Sequence, residues 1–281
     1  MRFERFKPPI SESKEKKPES VEGFEKEIEK IEESIKEISS EEKEEIAKVL
    51  ERVSENIPQV TLIGGVALRI WLDIKGEKVP EMYGKDFDFV LPKEIFERVK
   101  LALSPEKYKE SFLPRPEEPF SSEMIDKLRK VFRKKEKEKT PFGYFDFLKS
   151  PEIHFALEDK ESFAHLDFFI EKKESQKEKI NYRGREVTLL SPEELFIRRI
   201  GKLRKLGEEI QKRDVIYFYL NAEIINKEKM DEIVKKRVFE ETGKEIDRET
   251  ARKIWKEELE KIHKKIEKAK KEGKILEEVK H

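Results

Sequence analysis

GKDFDFVL, residues 84–91, decides how this chain is read. Asp86 and Asp88 alternate with Phe87 and Phe89 and run into Val90 and Leu91, with Pro92 closing the stretch. In a strand, successive side chains point to opposite faces. The phenylalanines therefore turn to a core, and the two carboxylates stand together on the other face. Same-face neighbours lie about 6.5–7 Å apart at Cα, from the rise per residue. Two carboxylates at that separation can converge on one hard cation. Magnesium takes oxygen ligands, keeps several waters and commonly bridges carboxylates to substrate phosphates. Taken alone, the pair is equally the wet face of an amphipathic strand, although aspartate is disfavoured in strands.

Upstream, QVTLIGG at 59–65 reads as a buried strand ending in Gly64 and Gly65, followed by a short helix, VALRIWLDI. Glycines at such a junction let backbone N–H groups approach a phosphate at the helix N-terminus. A tight strand-to-helix turn asks for the same residues. The loop GEKVPEMYG leads back to the aspartate strand, and KEIFERVKLAL after Pro92 resumes helical spacing. Downstream come three aromatic strand-like runs, FGYFDFL, EIHFALE and SFAHLDFFIE, with EDKE as the turn of a hairpin between the last two. Asp167 lies in the last run and shares a face with His165. If that strand pairs beside 86–91, three carboxylates meet on one sheet surface, where they repel unless cations neutralise them. Asp146, in GYFDF, is the rival for the third position. His165 reads more simply as a surface or packed histidine. REVTLL adds one more short strand.

Helical patterns surround this β-rich centre. Phe24, Ile28, Ile31, Ile35 and Ile38 form one narrow stripe, and Ser39 with Glu42 makes a capping box for a second helix carrying Ile46, Val49, Leu50, Val53 and Ile57. The first helix is either a partner-binding arm or a helix packed on its own domain, and packing is the simpler reading. SSEMIDKLRKVFRKKEKEK at 121–139 is strongly basic. SPEELFIRRIGKLRKLG begins with Ser191 as N-cap, Pro192 at the first helical position and Glu194 three after the cap. QKRDVIYFYLN is a further helix, and a long charged one runs from Asp247 to about Lys271 over Ile254, Leu259, Ile262 and Ile266. Helices, a small β-rich centre and a helical C-terminal half give an α/β (α+β) class.

Composition narrows the function. The 281 residues hold 63 basic and 63 acidic side chains, so net charge predicts neither nucleic-acid nor membrane affinity. Local runs, KLRKVFRKK at 127–135 and RRIGKLRK at 198–205, are the candidates for a polyanion, although charge runs are usually solvated helix faces. Arg198 and Lys205 are read as such a face. Absence of cysteine excludes disulfides, thiolate nucleophiles and cysteine-ligated zinc. No apolar run approaches the ~20 residues that span a bilayer. The first residues lack the apolar core of a signal peptide. The expectation is a soluble, cytoplasmic protein, and the Glu/Lys/Ile-rich composition hints at a thermophile source.

The ordered set LIGG at 62–65, DFD at 86–88 and LDF at 166–168 resembles the signature of the polymerase-β-like nucleotidyltransferase superfamily. SPEEL at 191–195, Lys202 and KRD at 212–214 resemble the added parts of its AbiEii-like, or MenT-like, toxin branch of type IV toxin–antitoxin systems. The likeness covers roughly residues 57–220. It implies a nucleotidyltransferase-type small mixed sheet with flanking helices over 57–190; the sequence pattern itself adds a mobile segment over 1–20, N-terminal helices over 21–56 and a helical C-terminal domain over 191–281. Gly64 and Gly65 would face an NTP triphosphate. Asp86, Asp88 and Asp167 would hold two magnesium ions, Lys202 would contact phosphates, and Asp214 would support the nucleotide pocket. The implied reaction moves a nucleoside monophosphate to an acceptor hydroxyl with release of pyrophosphate. A tRNA 3′ end or another RNA is the acceptor the resemblance implies, a protein or small-molecule acceptor stays open, and an antitoxin protein is an implied partner. The chain departs from the pattern in a longer gap between Gly65 and Asp86, in Gly84 where a small hydroxyl residue often stands, and in Val66 after the glycines. Arg199 and Lys205 flank Lys202 as alternatives for the inward cation. Two other readings stay open: a catalytically silent RNA- or protein-binding module on the same fold, and an aminoglycoside-type nucleotidyltransferase acting on a small molecule.

Overall fold

The computed structural model describes residues 36–57, 59–81, 86–103, 142–146, 154–159, 161–171 and 175–276. The expected mobile segment at 1–20, the stripe from Phe24 to Ile35 and the basic helix at 121–139 lie outside these residues. The expected capping box is present at helix α1 (Ser40–Asn56). Ser39 Oγ accepts from Glu42 N–H at 3.2 Å, and the Glu42 carboxylate accepts from Ser39 N–H at 2.8 Å. Such a cap contributes about 1 kcal/mol. Ile46, Ala47, Val49, Leu50 and Val53 form the buried face of the helix.

Strand β1 (Thr61–Ile63) runs straight into α2 (Gly64–Lys75), which ends at Gly76 in the left-handed region. Strand β2 (Asp86–Leu91) and α3 (Lys93–Leu103) follow. Next come β3 (Phe142–Asp146), β4 (His154–Asp159), β5 (His165–Ile170), β6 (Lys177–Tyr182) and β7 (Arg185–Leu190). The seven strands form one mixed sheet in the order β3-β4-β5-β2-β1-β7-β6. β2 pairs parallel with β5, and β1 parallel with β7; the other pairs are antiparallel.

Alternation in β2 sends Phe87 and Phe89 into the core as the sequence requires. Phe89, Phe168 and Phe155, one from each of three adjacent strands, stack with ring centroids 5.0 Å apart. Burying such rings contributes roughly 1.5–3 kcal/mol each. The opposite face of the same strands carries Asp88, Asp167 and their neighbours, so one apolar row fixes the height and side of the polar one.

The C-terminal part comprises α4 (Pro192–Lys205), β8 (Ile210–Gln211), α5 (Lys212–Ile224), α6 (Lys227–Thr242), α7 (Arg248–Lys271) and β9 (Ile275–Leu276). Helices α4 and α5 serve two cores. Leu195, Tyr217, Leu220 and Ile224 join the sheet's core, whereas Phe196, Ile200, Leu203, Val215 and Phe218 pack with Met230, Trp255 and Ile262 of α6 and α7. The helical half is thus joined to the sheet by shared helices. β6, KEKINY, was not apparent in the sequence. It is an edge strand, where charged side chains are the usual guard against edge-to-edge pairing. A two-residue turn at Arg183 and Gly184, both at positive φ, joins it to β7.

Candidate functional site

The parallel pairing of β2 and β5 places Asp88 directly opposite Asp167 and Asp86 opposite His165. The antiparallel pairing of β1 and β2 places Ile63, the residue before the glycines, opposite Asp88. Three segments far apart in sequence thus meet at one level of the sheet. Asp146 occupies the same row, opposite Ala156 of β4, which in turn faces Asp167. β4 intervenes between it and β5, so its backbone stands two strand spacings, roughly 10 Å, from that of Asp167.

Gly64 lies against the carboxylate. It has φ +73°, and a Cβ there would come 2.1 Å from Asp88 Oδ2. Backbone conformation and space both demand glycine. Gly65 has a different reason: a Cβ on it would meet Tyr217 Oη at 2.6 Å. Tyr217 is a buried residue of α5 that the sequence reading did not single out. The positive charges of Arg69 in α2 and of Arg199 in α4 lie near its hydroxyl, with the Arg199 guanidinium over its ring at 4.9 Å. The N-cap of helix α2 is Ile63, which offers no side-chain acceptor to the first N–H groups. Open N–H groups at a helix start suit an anion.

The sequence left open which cation of α4 points inward, and the structure brings two. Arg199 Nη1 and Lys202 Nζ both donate to Asp214 Oδ1, at 2.6 and 2.8 Å. Asp214 is almost wholly buried in the first turn of α5, where a carboxylate is also favoured by the helix dipole. Lys202 keeps nearly half its side chain exposed, so its ammonium remains available to a second anion. Lys205 is exposed, as a solvated face requires. Arg198 is not: its guanidinium packs near Glu194 and Arg237 and donates to Ser175 Oγ at 3.3 Å, and burial lowers its pKa from the usual arginine value.

The charge balance around the aspartates is uneven. Burial, then the neighbouring charges of Asp167 and Asp86, push the Asp88 carboxyl up to about 6, against the weaker pull of Arg199 and Lys202. Asp167 goes the other way. Burial works to raise it, but contacts with His165 and His154 outweigh that and hold it below the usual carboxylate range. His154 Nε2 lies 2.6 Å from Asp167 Oδ1, and His165 Nε2 lies 3.2 Å from Oδ2. His154 is a further residue the sequence did not flag, because its reach to Asp167 exists only once β4 and β5 are in register.

Among the described residues, no group of three or more His, Asp or Glu side chains is already drawn together as a cage for a metal ion. The donor chemistry nevertheless fits a hard cation. Asp86 and Asp88 offer only oxygen, Asp88 is half-buried with its negative charge poorly compensated, and Gly64 leaves the space beside Asp88 Oδ2 free of side chain. An apolar groove lined by Ile197, Ile200, Met230, Val234, Ile254 and Trp255 lies between α4, α6 and α7, and contains none of these groups. No helix among the described residues is long and apolar enough to cross a membrane.

No protein-family model matches the chain. No curated protein matches it in sequence. Among solved structures it shows distant similarity to the following. The antibiotic-resistance factor ANT(2'')-Ia matches at 14% identity and TM-score 0.41, over 70% of this chain and 90% of its own. An antigenic nucleotidyltransferase-like protein from Paracoccidioides brasiliensis matches at 14% identity and TM-score 0.36, over 77% and 94%. JHP933 from Helicobacter pylori matches at 14% and 0.32, over 84% and 97%.

Proposed function

We propose that this chain is a magnesium-dependent nucleotidyltransferase that moves a nucleoside monophosphate from an NTP to an acceptor hydroxyl. One observation supports the reading above the others: Asp88 and Asp167 face each other across parallel strands, while Gly64 is held against Asp88. A purely structural sheet gains nothing from apposed carboxylates, since like charges directly opposite are destabilising.

Asp86, Asp88 and Asp167 would hold magnesium, which when bound supplies Lewis-acid polarisation of the α-phosphate and acidifies the acceptor hydroxyl. The rest is the work of the chain. The uncapped start of α2 at Gly64 and Gly65 receives phosphate oxygens. Lys202 and Arg199 meet the triphosphate's negative charge while Asp214 keeps both side chains in place. Tyr217 and Arg69 hold α2 and α5 together behind the phosphate-facing turn. Asp167, kept ionised, lies beyond Asp88 from the glycine turn and so on the acceptor's side. The acceptor oxygen forms a bond to the α-phosphorus, the bond to the bridging oxygen breaks, pyrophosphate leaves, and the hydroxyl proton passes to solvent water. Resemblance of SPEEL, Lys202 and KRD to the toxin branch supports a tRNA 3′ end as acceptor and an antitoxin protein as partner.

The test is transfer of label from each α-labelled NTP to a total tRNA pool with magnesium, comparing wild type with Asp88→Asn. Label on RNA in the wild type, reduced at least about 10³-fold in the variant, is the expected result for a group acting in the transition state. Equal labelling by both proteins contradicts the assignment of Asp88. No labelling by either removes tRNA as the acceptor.

A further inference from the structure

We propose that His154 is a positioning residue for the transfer reaction, holding Asp167 by a hydrogen bond from Nε2 so that its carboxylate faces Asp88. The inference rests on the nucleotidyltransferase reading and assigns a task to a residue outside its motifs.

His154 begins β4, and its register partner on β5 is Phe169, two residues beyond Asp167. The imidazole stacks on the Phe169 ring, with centroids 4.6 Å apart and planes 16° from parallel. That stack fixes the ring plane. Nε2 is thereby aimed diagonally across the strand pair at Asp167 Oδ1, 2.6 Å away. An ionised carboxylate only accepts, so the shared proton belongs to Nε2. His165 approaches the other oxygen, from the residue opposite Asp86. Each carboxylate oxygen retains a second lone pair for a ligand or an acceptor hydroxyl. With one imidazole on each oxygen, the carboxylate is restrained from turning about its own axis. Groups that orient a reacting or metal-binding carboxylate in this way typically contribute 10–100-fold to activity or affinity.

The geometry also divides the site. Gly64 and Gly65 follow β1 on one side of Asp88, with Tyr217 against Gly65 and Arg199 over the Tyr217 ring, whereas His154 lies on the β4 side, beyond Asp167. Loss of His154 is therefore expected to slow transfer without weakening NTP binding.

Two variants separate the hydrogen bond from the packing. His154→Phe keeps a ring to stack on Phe169 but has no donor. His154→Gln loses the ring and keeps an N–H donor. Three quantities are measured: kcat for label transfer, Kd for magnesium–NTP, and, in metal-free protein, the imidazole 15N signals that report which ring nitrogen carries hydrogen. The expected outcome is a protonated Nε2 at His154 in wild type, kcat lowered roughly 10–100-fold in His154→Phe, a smaller loss in His154→Gln, and Kd within about twofold of wild type in both. The proposal is overturned if His154→Phe transfers as wild type does, if His154→Gln is the more damaged of the two, or if both lose NTP affinity in step with kcat. Absence of transfer by the wild-type protein on any acceptor removes the nucleotidyltransferase reading first and this proposal with it.

Discussion

Asp88 and Asp159 are both aspartates drawn out of water on the same sheet, yet they are treated in opposite ways. Asp159, at the end of β4, is fully buried and answered from every side. Arg52 of α1 binds both of its oxygens, at 2.9 and 2.5 Å, and Ser162 donates from its backbone and its hydroxyl. Burial works to raise its pKa, but these partners win and hold it low. Asp231 in the helical half repeats the pattern with Arg252 and the indole of Trp255. Asp88 is pushed up instead, with two carboxylates beside it and no direct cation contact among the described residues. The difference teaches how to tell a structural carboxylate from a functional one. On the proposed reading, the fold compensates the charges it needs for its own stability and leaves uncompensated the one assigned to an external cation.

Substitutions that break this contrast rank by size. Arg52→Ala strands the buried Asp159 charge and should cost about 3 kcal/mol, the scale for breaking a buried ion pair. Urea denaturation measures it, and label transfer per folded molecule should be unchanged. Gly64→Ala forces a left-handed alanine and drives a methyl into Asp88 Oδ2. About 2 kcal/mol of stability should go, with most of the transfer activity. Thermal melting and the labelling assay together check both parts. Lys202→Ala removes one of the two cations proposed to meet phosphate but leaves Arg199 on Asp214. NTP affinity should fall about tenfold, close to the lower end expected for a hydrogen bond to a charged group, as titration calorimetry would show. Lys205→Ala, one turn away on the solvated side, should change that affinity by less than about twofold. If Lys205→Ala weakens binding as much as Lys202→Ala does, the assignment of the inward face of α4 is wrong.

Much of this was legible in residues 61–91, because strand alternation alone puts Asp86 and Asp88 on one face and Phe87 and Phe89 on the other. The cap at Ser191 and the helix that opens with KRD were readable for the same reason: short-range chemistry determines them. What sequence could not supply was adjacency. That β5 lies beside β2, with Asp167 level with Asp88, depends on which aromatic rows pack together, and several strands offered equivalent rows. His154 and Tyr217 gain meaning only through cross-strand and interhelical distances. Arg198 and Arg199 differ by one helical step of about 100°, which sends one into a packed contact near Glu194 and the other to Asp214. β6 was hidden because an edge strand bearing lysine and glutamate looks like a loop.

The central claim is that Asp88 is a liability to the fold unless a cation joins it, and stability against pH tests this directly. In metal-free protein Asp88 keeps its proton up to about pH 6, whereas the unfolded chain releases its own near pH 4. Between these values the unfolded state binds fewer protons, so stability falls as pH rises, and the deficit persists above pH 6. Asparagine carries no such penalty. Melting of wild type and Asp88→Asn should coincide near pH 4 without divalent ions. At pH 7.5 the variant should be the more stable by on the order of 1–2 kcal/mol, after discounting for partial exposure. Magnesium with NTP should then raise the wild type alone. A variant less stable than wild type at pH 7.5, with both proteins responding alike to magnesium and NTP, would mean that Asp88 is a satisfied structural carboxylate like Asp159.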